Sequence, residues 1–346
     1  MIGAGVSSLS LAVELAQKGT LPGDVVLYDP HPEGRGSQTF SFWREKNSVP
    51  SLEPEYRWGQ WSFSTLERAY LHVGTEFEYA MISSEYFRSH AHRIIQAHPQ
   101  IHIEAQRLMT SPDAVHVFDS RPPALEEFRV KQSFVGLEVE LTQAHSIDTV
   151  QLMHEMTYLD QGLDFRYVLP LSKTRLLVEY TRFTVKTPEL SDLESACHRW
   201  LETRGGAYQV MRREAAHIPM GLNQIGPHWG MPIGARAGMT RDATGYGFIE
   251  IQRWAAVAAD QLMSSHRIAA YRVPYFRRWM DECLLRIIEV RPEVLPQLFM
   301  SLAERLSPDQ FARFMMSCQF SNGFKVMWNG PKWPFFLSAL GRPQWI

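Results

Sequence analysis

The sequence opens on Gly3-Ala4-Gly5-Val6-Ser7-Ser8, a GxGxxG turn in which Ser8 replaces the third glycine. In such turns the first glycine permits the tight bend, and the second lets the backbone approach a pyrophosphate at a helix N-terminus. The third position needs only a small side chain for close packing of helix and strand, so a serine is tolerable. The stretch therefore predicts a dinucleotide-binding turn built on Gly3, Gly5 and Ser8.

The residues that follow continue the same unit. A run with helical spacing from Leu9 to Ala16 leads to Val25–Asp29, a short apolar strand that ends in an acid. An acid at this place typically binds ribose hydroxyls, so Asp29 is a candidate for the adenosine end of the cofactor. Only Met1 and Ile2 precede the turn, where a strand is expected, so either the chain begins late or part of that strand has been lost.

A second glycine-rich segment lies far downstream, at residues 234–248, and a helical pattern from Ile249 to Leu262 follows it directly. Two glycine turns that each lead into a helix can bring two helix N-termini toward one long cofactor. This arrangement favours FAD over a nicotinamide nucleotide alone. The alternative interpretation is a surface loop with glycine turns.

The rest of the chain divides into strand patterns and helix patterns. Period-two alternation predicts a strand over 130–141, and two apolar segments around Ser-Lys-Thr predict a hairpin over 165–180. Ser83 is a predicted N-cap, whereas residues 30–60 have the glycine, proline and serine content of a long loop. Helical spacing returns near the C-terminus, over 249–265, 275–289, 294–305 and 308–317.

The predicted fold class is therefore α/β, with a Rossmann-like FAD-binding domain, an inserted antiparallel substrate sheet and a C-terminal helical cap. The expected domain boundaries are 1–130 and 221–265 for the FAD-binding domain, 131–220 for the substrate-binding region and 266–346 for the helical region.

Composition limits the classes of function. The 346-residue chain carries 35 Lys and Arg against 37 Asp and Glu, and this near-neutral balance argues against nucleic-acid binding. Three widely spaced cysteines form no CxxC pair, so neither a disulfide framework nor a metal site is expected. No apolar run reaches bilayer length and no signal peptide is recognised. These features predict a cytoplasmic protein that is either soluble or peripheral to the inner membrane, and they leave its oligomeric state open.

Several motifs, taken in order, resemble the flavoprotein lycopene cyclase family, whose nucleotide-binding part is related to FAD-dependent monooxygenases. The family uses reduced FAD to cyclise the ends of a linear carotenoid without net redox change. The order and spacing of the motifs carry the resemblance more than any one of them. The motifs are Gly3–Ser8 with Asp29, Gln38–Trp43, Tyr79–Phe87, Phe165–Ser172, Leu176–Phe183, and Gly238 with Thr244–Tyr246.

The resemblance implies roles for individual residues. Glu179 matches the first acid of the family's essential acidic motif. An apolar small-molecule substrate and bound FAD are implied, with NADPH or another donor needed to reduce the flavin. The positions that the resemblance assigns to FAD are Gly3, Gly5 and Asp29 at the adenosine and pyrophosphate end, and Gly238, Thr244, Gly245 and Tyr246 near the flavin.

Protonating a polyene end creates a tertiary carbocation, and water would capture it. The reaction therefore needs a closed apolar site lined by π-faces. An acid buried there has a raised pKa and keeps its proton at neutral pH, so Glu179 is the candidate proton donor, while anionic reduced flavin would stabilise the cation. The alternative is an acid at a strand end that pairs with Arg175 or Arg182. These two arginines and Arg166 are expected at solvated hairpin edges.

Some positions depart from the family pattern. Tyr180 replaces a second acid after Glu179, and His154 stands where the family tends to have Asp. These departures keep two alternatives open: a flavin monooxygenase or halogenase-like tailoring enzyme acting on another apolar substrate, and a flavin-free binding protein with the same fold. The aromatic, Met-rich tail from Phe311 to Trp345 is interpreted as helix-bundle core, or as a tunnel mouth or membrane contact.

Overall fold

A computed structural model describes residues 1–34, 36–48, 52–122, 128–204, 206–222 and 227–316. The strands, in chain order, are β1 (Val25–Tyr28), β2 (Thr39–Glu45), β3 (Tyr56–Trp58), β4 (Gln60–Thr65), β5 (Ala69–Val73), β6 (Phe77–Ser83), β7 (Ile101–Glu104), β8 (Phe118–Asp119), β9 (Phe128–Leu141), β10 (Val150–Leu159), β11 (Gly162–Pro170), β12 (Arg175–Thr184), β13 (Tyr208–Leu222) and β14 (Met231–Pro232). The helices are α1 (Val6–Ala16), α2 (Ser84–Gln96), α3 (Leu190–Glu202), α4 (Phe248–Ser265), α5 (Tyr275–Val290), α6 (Leu295–Arg305) and α7 (Pro308–Met316).

The N-terminal part is a parallel α/β unit. Strands β1 and β7 pair in parallel, as do β8 and β14. Ile2 forms parallel bridges to both Tyr28 and Asp119, so it holds the central strand position between β1 and β8. Helices α1, α2 and α4 pack around this unit and bury the apolar side of α1, including Leu9 and Leu11. The glycine turn, helix and strand predicted from the sequence are confirmed.

A seven-stranded sheet dominates the rest of the molecule. Its strand order is β13-β9-β12-β11-β10-β4-β5, and every pairing is antiparallel except that of β10 with β4. The predicted strand over 130–141 and the predicted hairpin are confirmed as β9 and β11–β12. One face of the sheet packs against α3 through residues such as Val135, Val178 and Cys197. The opposite face, called the front face below, borders the candidate site.

The prediction of a long loop over residues 30–60 is wrong. This segment contains β2 and β3, which flank β6 in an antiparallel three-stranded sheet. Phe42 and Trp43 are buried in this sheet, and burial of aromatic strand residues outweighs the loop-forming composition around them. The predicted cap at Ser83 is confirmed, since its side chain accepts a hydrogen bond from the Tyr86 N–H in the first turn of α2.

The C-terminal helices cover the front face. Helices α4 to α7 lie within a residue or two of their predicted bounds, and α5 to α7 bury Leu285, Leu298 and Phe311 in the same core as the sheet. Within the described ranges, no helix combines the length and hydropathy needed to cross a bilayer. Cys318 and the tail beyond Met316 lie outside the described residues.

Candidate active site

A cavity of about 320 Å³ lies between the front face of the large sheet, strand β2, the segment 240–248 and helices α5 to α7. Its walls are mostly apolar, and many of the lining residues are aromatic. The aromatic residues include Trp43, Phe63, Phe165, Phe183, Phe311 and Phe314. Of the tail that the sequence analysis interpreted as core or tunnel mouth, only α7 lies within the described residues, and its buried Phe311 and Phe314 line this cavity.

Glu179 is the acid of β12 that borders this cavity. Tyr167 lies opposite it on β11, and Gly136 lies opposite it on β9. The Thr181 hydroxyl donates a hydrogen bond of 2.7 Å to Glu179 Oε1. Glu179 is half-buried, and we attribute its remaining exposure to the cavity that it lines.

Burial is the main influence on the acidity of Glu179. Burial and, to a smaller extent, the Glu214 carboxyl raise the pKa of Glu179 to about 8, while the hydrogen bond from the Thr181 hydroxyl opposes the rise. Desolvation destabilises the charged form of a carboxyl, so Glu179 is mostly protonated at neutral pH. An acid with its proton retained therefore faces an apolar, aromatic cavity.

The arginines of the hairpin do not pair with Glu179. Arg175 binds Glu138 at 2.6 Å, and Arg182 binds Asp164 at 2.6 Å. The expected solvated positions are wrong for two of the three, because Arg166 and Arg182 are buried. Arg182 pairs with Asp164, whereas Arg166 pairs with Glu155 and lies 4.6 Å from the centre of the Trp200 ring. The ion-pair explanation for Glu179 is thereby removed.

A chain of buried hydroxyls lies beside Glu179. The Tyr246 and Tyr79 hydroxyl oxygens are 2.9 Å apart, those of Tyr79 and Tyr167 are 3.2 Å apart, and Tyr167 donates to Ser41 Oγ at 2.9 Å. Trp43 packs edge-on against Tyr79 and Tyr246. Because the hydroxyls bind one another, the rings are fixed in place at the cavity wall.

The two positions that depart from the family pattern lie away from the cavity lining. Tyr180 packs against the α3 side of the sheet, since adjacent strand residues point to opposite faces. His154 lies on β10, where its Nε2 is 2.8 Å from Ser62 Oγ. An acid at position 180 would therefore lie behind the sheet, so its loss leaves the acid of the cavity unchanged.

The glycine turn has the geometry that a pyrophosphate requires. Gly3 has φ +93°, and a Cβ there would lie 2.5 Å from Ser120 Oγ, so only glycine fits. Gly5 is the N-cap of α1, and a Cβ on it would meet nothing within 4 Å. The first intrahelical bond runs from the Leu9 N–H to the Gly5 carbonyl, which leaves the preceding amides of the first turn for an anion.

Ser8 and Asp29 hold this turn in place. Ser8 is fully buried, and its Oγ lies 3.0 Å from Ser120 Oγ, so it provides the close packing predicted for the third motif position. Asp29 accepts the Ala4 N–H at 2.8 Å through Oδ2 and the His31 N–H at 2.7 Å through Oδ1. A carboxylate has about four acceptor sites, so Asp29 retains capacity for ribose hydroxyls.

The second glycine segment connects this turn to the cavity. Thr244, Gly245 and Tyr246 line the cavity, and so does Val6 at the start of α1. Gly245 and Gly238 both have left-handed backbone conformations, with φ values of +71° and +74°. Gly238 lies beside Val273 and is not among the residues that line the cavity. The structure thus brings Glu179, three of the four proposed flavin-side residues and the N-terminus of α1 to one continuous space. Across the described ranges, no group of His, Cys, Asp and Glu is arranged to hold a metal.

A buried ion pair fixes the segment 240–246 to the helical cap. Arg241 Nε lies 2.9 Å from Asp281 Oδ1 on α5, and Arg241 Nη1 donates to the Phe314 carbonyl of α7 at 2.7 Å. Both side chains line the cavity and are less than a tenth exposed. The pair thus presents a neutralised polar group in an otherwise apolar wall.

We expect Asp281→Ala to lower the free energy of unfolding by about 3 kcal/mol, because it leaves Arg241 buried without its partner. Urea unfolding followed by circular dichroism measures this change. The control is Asp260→Ala, which removes the partner of Lys18 from an exposed surface pair and is expected to leave the unfolding midpoint nearly unchanged. Equal effects of the two substitutions would contradict a stabilising role of the buried pair.

Comparison with known proteins identifies the family. A family model described as lycopene cyclase protein matches residues 1–327. The chain belongs to the lycopene cyclase family. The family member is 32% identical over 138 residues to the lycopene beta-cyclase of a Paracoccus species, an alignment that spans 37% of this chain and only 34% of that protein. It is 25% identical over 327 residues to the lycopene beta-cyclase of Pantoea ananas, across 83% of this chain and 81% of that protein.

A solved structure shares the fold of this family member. The geranylgeranyl bacteriochlorophyll reductase-like protein of Thermoplasma acidophilum superposes with a TM-score of 0.55 at 11% identity, across 94% of each chain. The likeness confirms the predicted fold class. Glu214, Tyr79 and Tyr167 are cavity residues that sequence reasoning missed, because the pairing register that brings them to Glu179 is not visible in a single sequence.

Proposed function

We propose that this lycopene cyclase family protein closes a ring at an end of a linear carotenoid, with Glu179 as the proton donor. The observation that carries the proposal is a carboxyl with a pKa of about 8 facing an apolar cavity with aromatic walls. A hydrocarbon polyene offers no polar group to bind, so an apolar cavity with few charges suits it. The family relatives named lycopene beta-cyclase point to the same substrate class.

Glu179 begins the proposed reaction by transferring its proton to the terminal double bond of the polyene. The proton adds to one carbon and leaves a tertiary carbocation on the other. A nearby double bond of the same chain then supplies its electron pair to form the ring bond, which moves the positive charge into the new ring. That ring then transfers one proton to the Glu179 carboxylate, which restores a double bond and the protonated acid, so the product is an isomer of the substrate.

The cavity walls stabilise the carbocation both before and after ring closure. Trp43, Phe165 and Phe183 line the cavity, and the face of an aromatic ring attracts a cation by about 0.5–2 kcal/mol. The apolar lining disfavours water, which would capture the carbocation. The hydroxyls of Tyr246, Tyr79 and Tyr167 are hydrogen-bonded to one another, which keeps these three rings in place at the cavity wall.

FAD is the cofactor that the fold and the glycine turns favour. We propose that Gly3, Gly5, Ser8 and Asp29 form its adenosine and pyrophosphate site, and that Thr244, Gly245 and Tyr246 border its flavin. When bound in its reduced form, the flavin supplies negative charge near the developing cation. NADPH is the proposed reductant. Because a carotenoid is insoluble in water, we also propose that the protein contacts the membrane peripherally to receive it.

Expression in a bacterium that accumulates lycopene tests the proposal. We expect cells that contain the protein to accumulate a cyclised isomer of lycopene, detected by chromatography and mass spectrometry. The purified protein should form the same product without oxygen when its flavin is reduced. NADPH oxidation that consumes oxygen in step with product formation would instead indicate a monooxygenase, and a protein that binds no flavin would contradict both.

The protonation state of Glu179 predicts how activity depends on pH. Turnover requires the protonated acid, so kcat/KM should be constant well below pH 8 and fall about tenfold per pH unit above it. Anaerobic assays with reduced flavin across the range, with bound flavin checked at each pH, measure this profile. A rate that rises through pH 8 would contradict an acid role for Glu179.

A further inference from the structure

Glu214 on β13 is a second acid beside the cavity. Both Glu179 and Glu214 lie opposite Gly136 of the intervening strand β9, one on each side of it. Residues in register on adjacent strands point to the same face, so both carboxyls project to the front face, with Cα atoms about 10 Å apart. Between them lies a residue without a side chain.

The Glu214 side chain lies over Gly136. A Cβ on Gly136 would stand 3.1 Å from Glu214 Cγ and 3.4 Å from Glu214 Oε1. The carboxyl therefore occupies the space that a side chain on β9 would fill, on the side toward Glu179. The glycine at position 136 thus leaves room for the Glu214 side chain on the side of β13 that faces Glu179, with Leu177 Cδ1 also 3.4 Å from the would-be Cβ.

Glu214 is held by donors that favour its charged form. The Thr39 N–H donates to Oε2 at 2.8 Å, the Thr39 hydroxyl donates to Oε1 at 2.7 Å, and Arg212 Nη1 lies 3.2 Å from Oε2. Burial raises the pKa of Glu214 above its ordinary value, and Arg212 and Thr39 limit that rise without reversing it. Within the described part of the chain, the side-chain donor to Glu179 is Thr181, so Glu179 is the acid that retains the proton.

We infer that Glu214 is a fixed carboxylate that faces Glu179 across Gly136 and keeps Glu179 in its protonated, proton-donating form. Glu214 acts through Glu179 and is a positioning residue, and the inference rests on the proposed function of Glu179 as an acid. A nearby negative charge disfavours a second one, typically by a pKa unit or more in a buried site. The same charge favours a cation in the cavity.

Other groups surround Glu179, and none replaces Glu214 in this role. The tyrosines of the hydroxyl chain are neutral, because burial raises their pKa values well above the ordinary range. Arg241 and Asp281 compensate each other, and Glu138 lies between Arg175 and Arg212. The titratable or charged groups around Glu179 are Tyr79, Tyr167, Tyr246, Cys197, Glu138, Arg212, Glu214, Arg241 and Asp281.

The test measures the titration of Glu179 itself. Infrared difference spectra of the flavin-loaded protein follow the carboxyl band that Glu179→Gln removes. In Glu214→Gln we expect this titration to move down by about one pH unit or more, and the alkaline fall in kcat/KM to move with it. Glu214→Asp keeps the charge and should restore most of the original profile.

Glu138→Gln is the matched control, because Glu138 contacts the same Arg212 but its charge lies between two guanidinium groups. It is expected to leave the Glu179 titration in place. If Glu214→Gln does not fold, Thr39→Val removes one donor from Glu214 and should give a smaller shift in the same direction.

An unshifted titration of Glu179 in a folded Glu214→Gln variant would overturn the inference. The spectroscopic titration needs no turnover, so the two proposals fail separately. A shifted titration in a protein without cyclase activity would sustain the charge pair and reject the proposed function. Cyclase activity with an unshifted titration would support the proposed function and reject the charge pair.

Discussion

Glu179→Gln is expected to abolish ring closure while FAD binding is retained. Glutamine has nearly the same shape as glutamate but cannot deliver a proton to a double bond. General acids typically contribute 10²–10⁴-fold to a rate, and a hydrocarbon offers no alternative acid, so we expect a loss of at least about 10³-fold. Product formation under anaerobic conditions with reduced flavin measures the loss.

The structure explains why flavin binding should survive this change. Glu179 accepts a hydrogen bond from Thr181, and a glutamine amide oxygen can accept the same bond. The glycine turn lies in the parallel unit, whereas Glu179 lies on β12 of the large sheet. Glu140→Gln on the neighbouring strand is the control and should leave turnover unchanged. Full activity of the Glu179 variant would remove this residue from the mechanism.

Gly5→Leu is expected to abolish FAD binding without unfolding the protein. The backbone of Gly5 has φ −79° and ψ −177°, an extended conformation that any residue can adopt. A Cβ there meets no protein atom within 4 Å, so the leucine side chain would enter the space proposed for the pyrophosphate. Loss of two charge-assisted hydrogen bonds costs about 3 kcal/mol or more, which corresponds to at least about 100-fold weaker binding.

Gly23→Leu is a closely matched control for this prediction. Gly23 also has open space around its would-be Cβ and no left-handed φ, and it lies on the surface before β1. Flavin fluorescence titration of both variants, with circular dichroism to check folding, separates ligand exclusion from unfolding. Equal affinity of the two folded variants for FAD would place the pyrophosphate elsewhere.

The sequence supports more of the fold than of the site. The glycine turn, α1 and β1 are local features in which each residue's role follows from its neighbours, so they could be predicted directly. The same holds for the hairpin of β11 and β12 and for the helices α4 to α7. The strands β2 and β3 were missed, because the glycine and proline content around them concealed the alternation of Phe40, Phe42 and their neighbours.

The sequence by itself determined the glycine turn and the α/β class, because short motifs and periodicity encode these locally, and its resemblance to a family pointed to Glu179 as the candidate acid. Only the tertiary structure decided what surrounds that acid. Strand register places Gly136 between Glu179 and Glu214, and packing of α5 to α7 closes the apolar cavity over them. Acidity depends on desolvation and on charges from distant parts of the chain, and those neighbours exist only once the chain has folded.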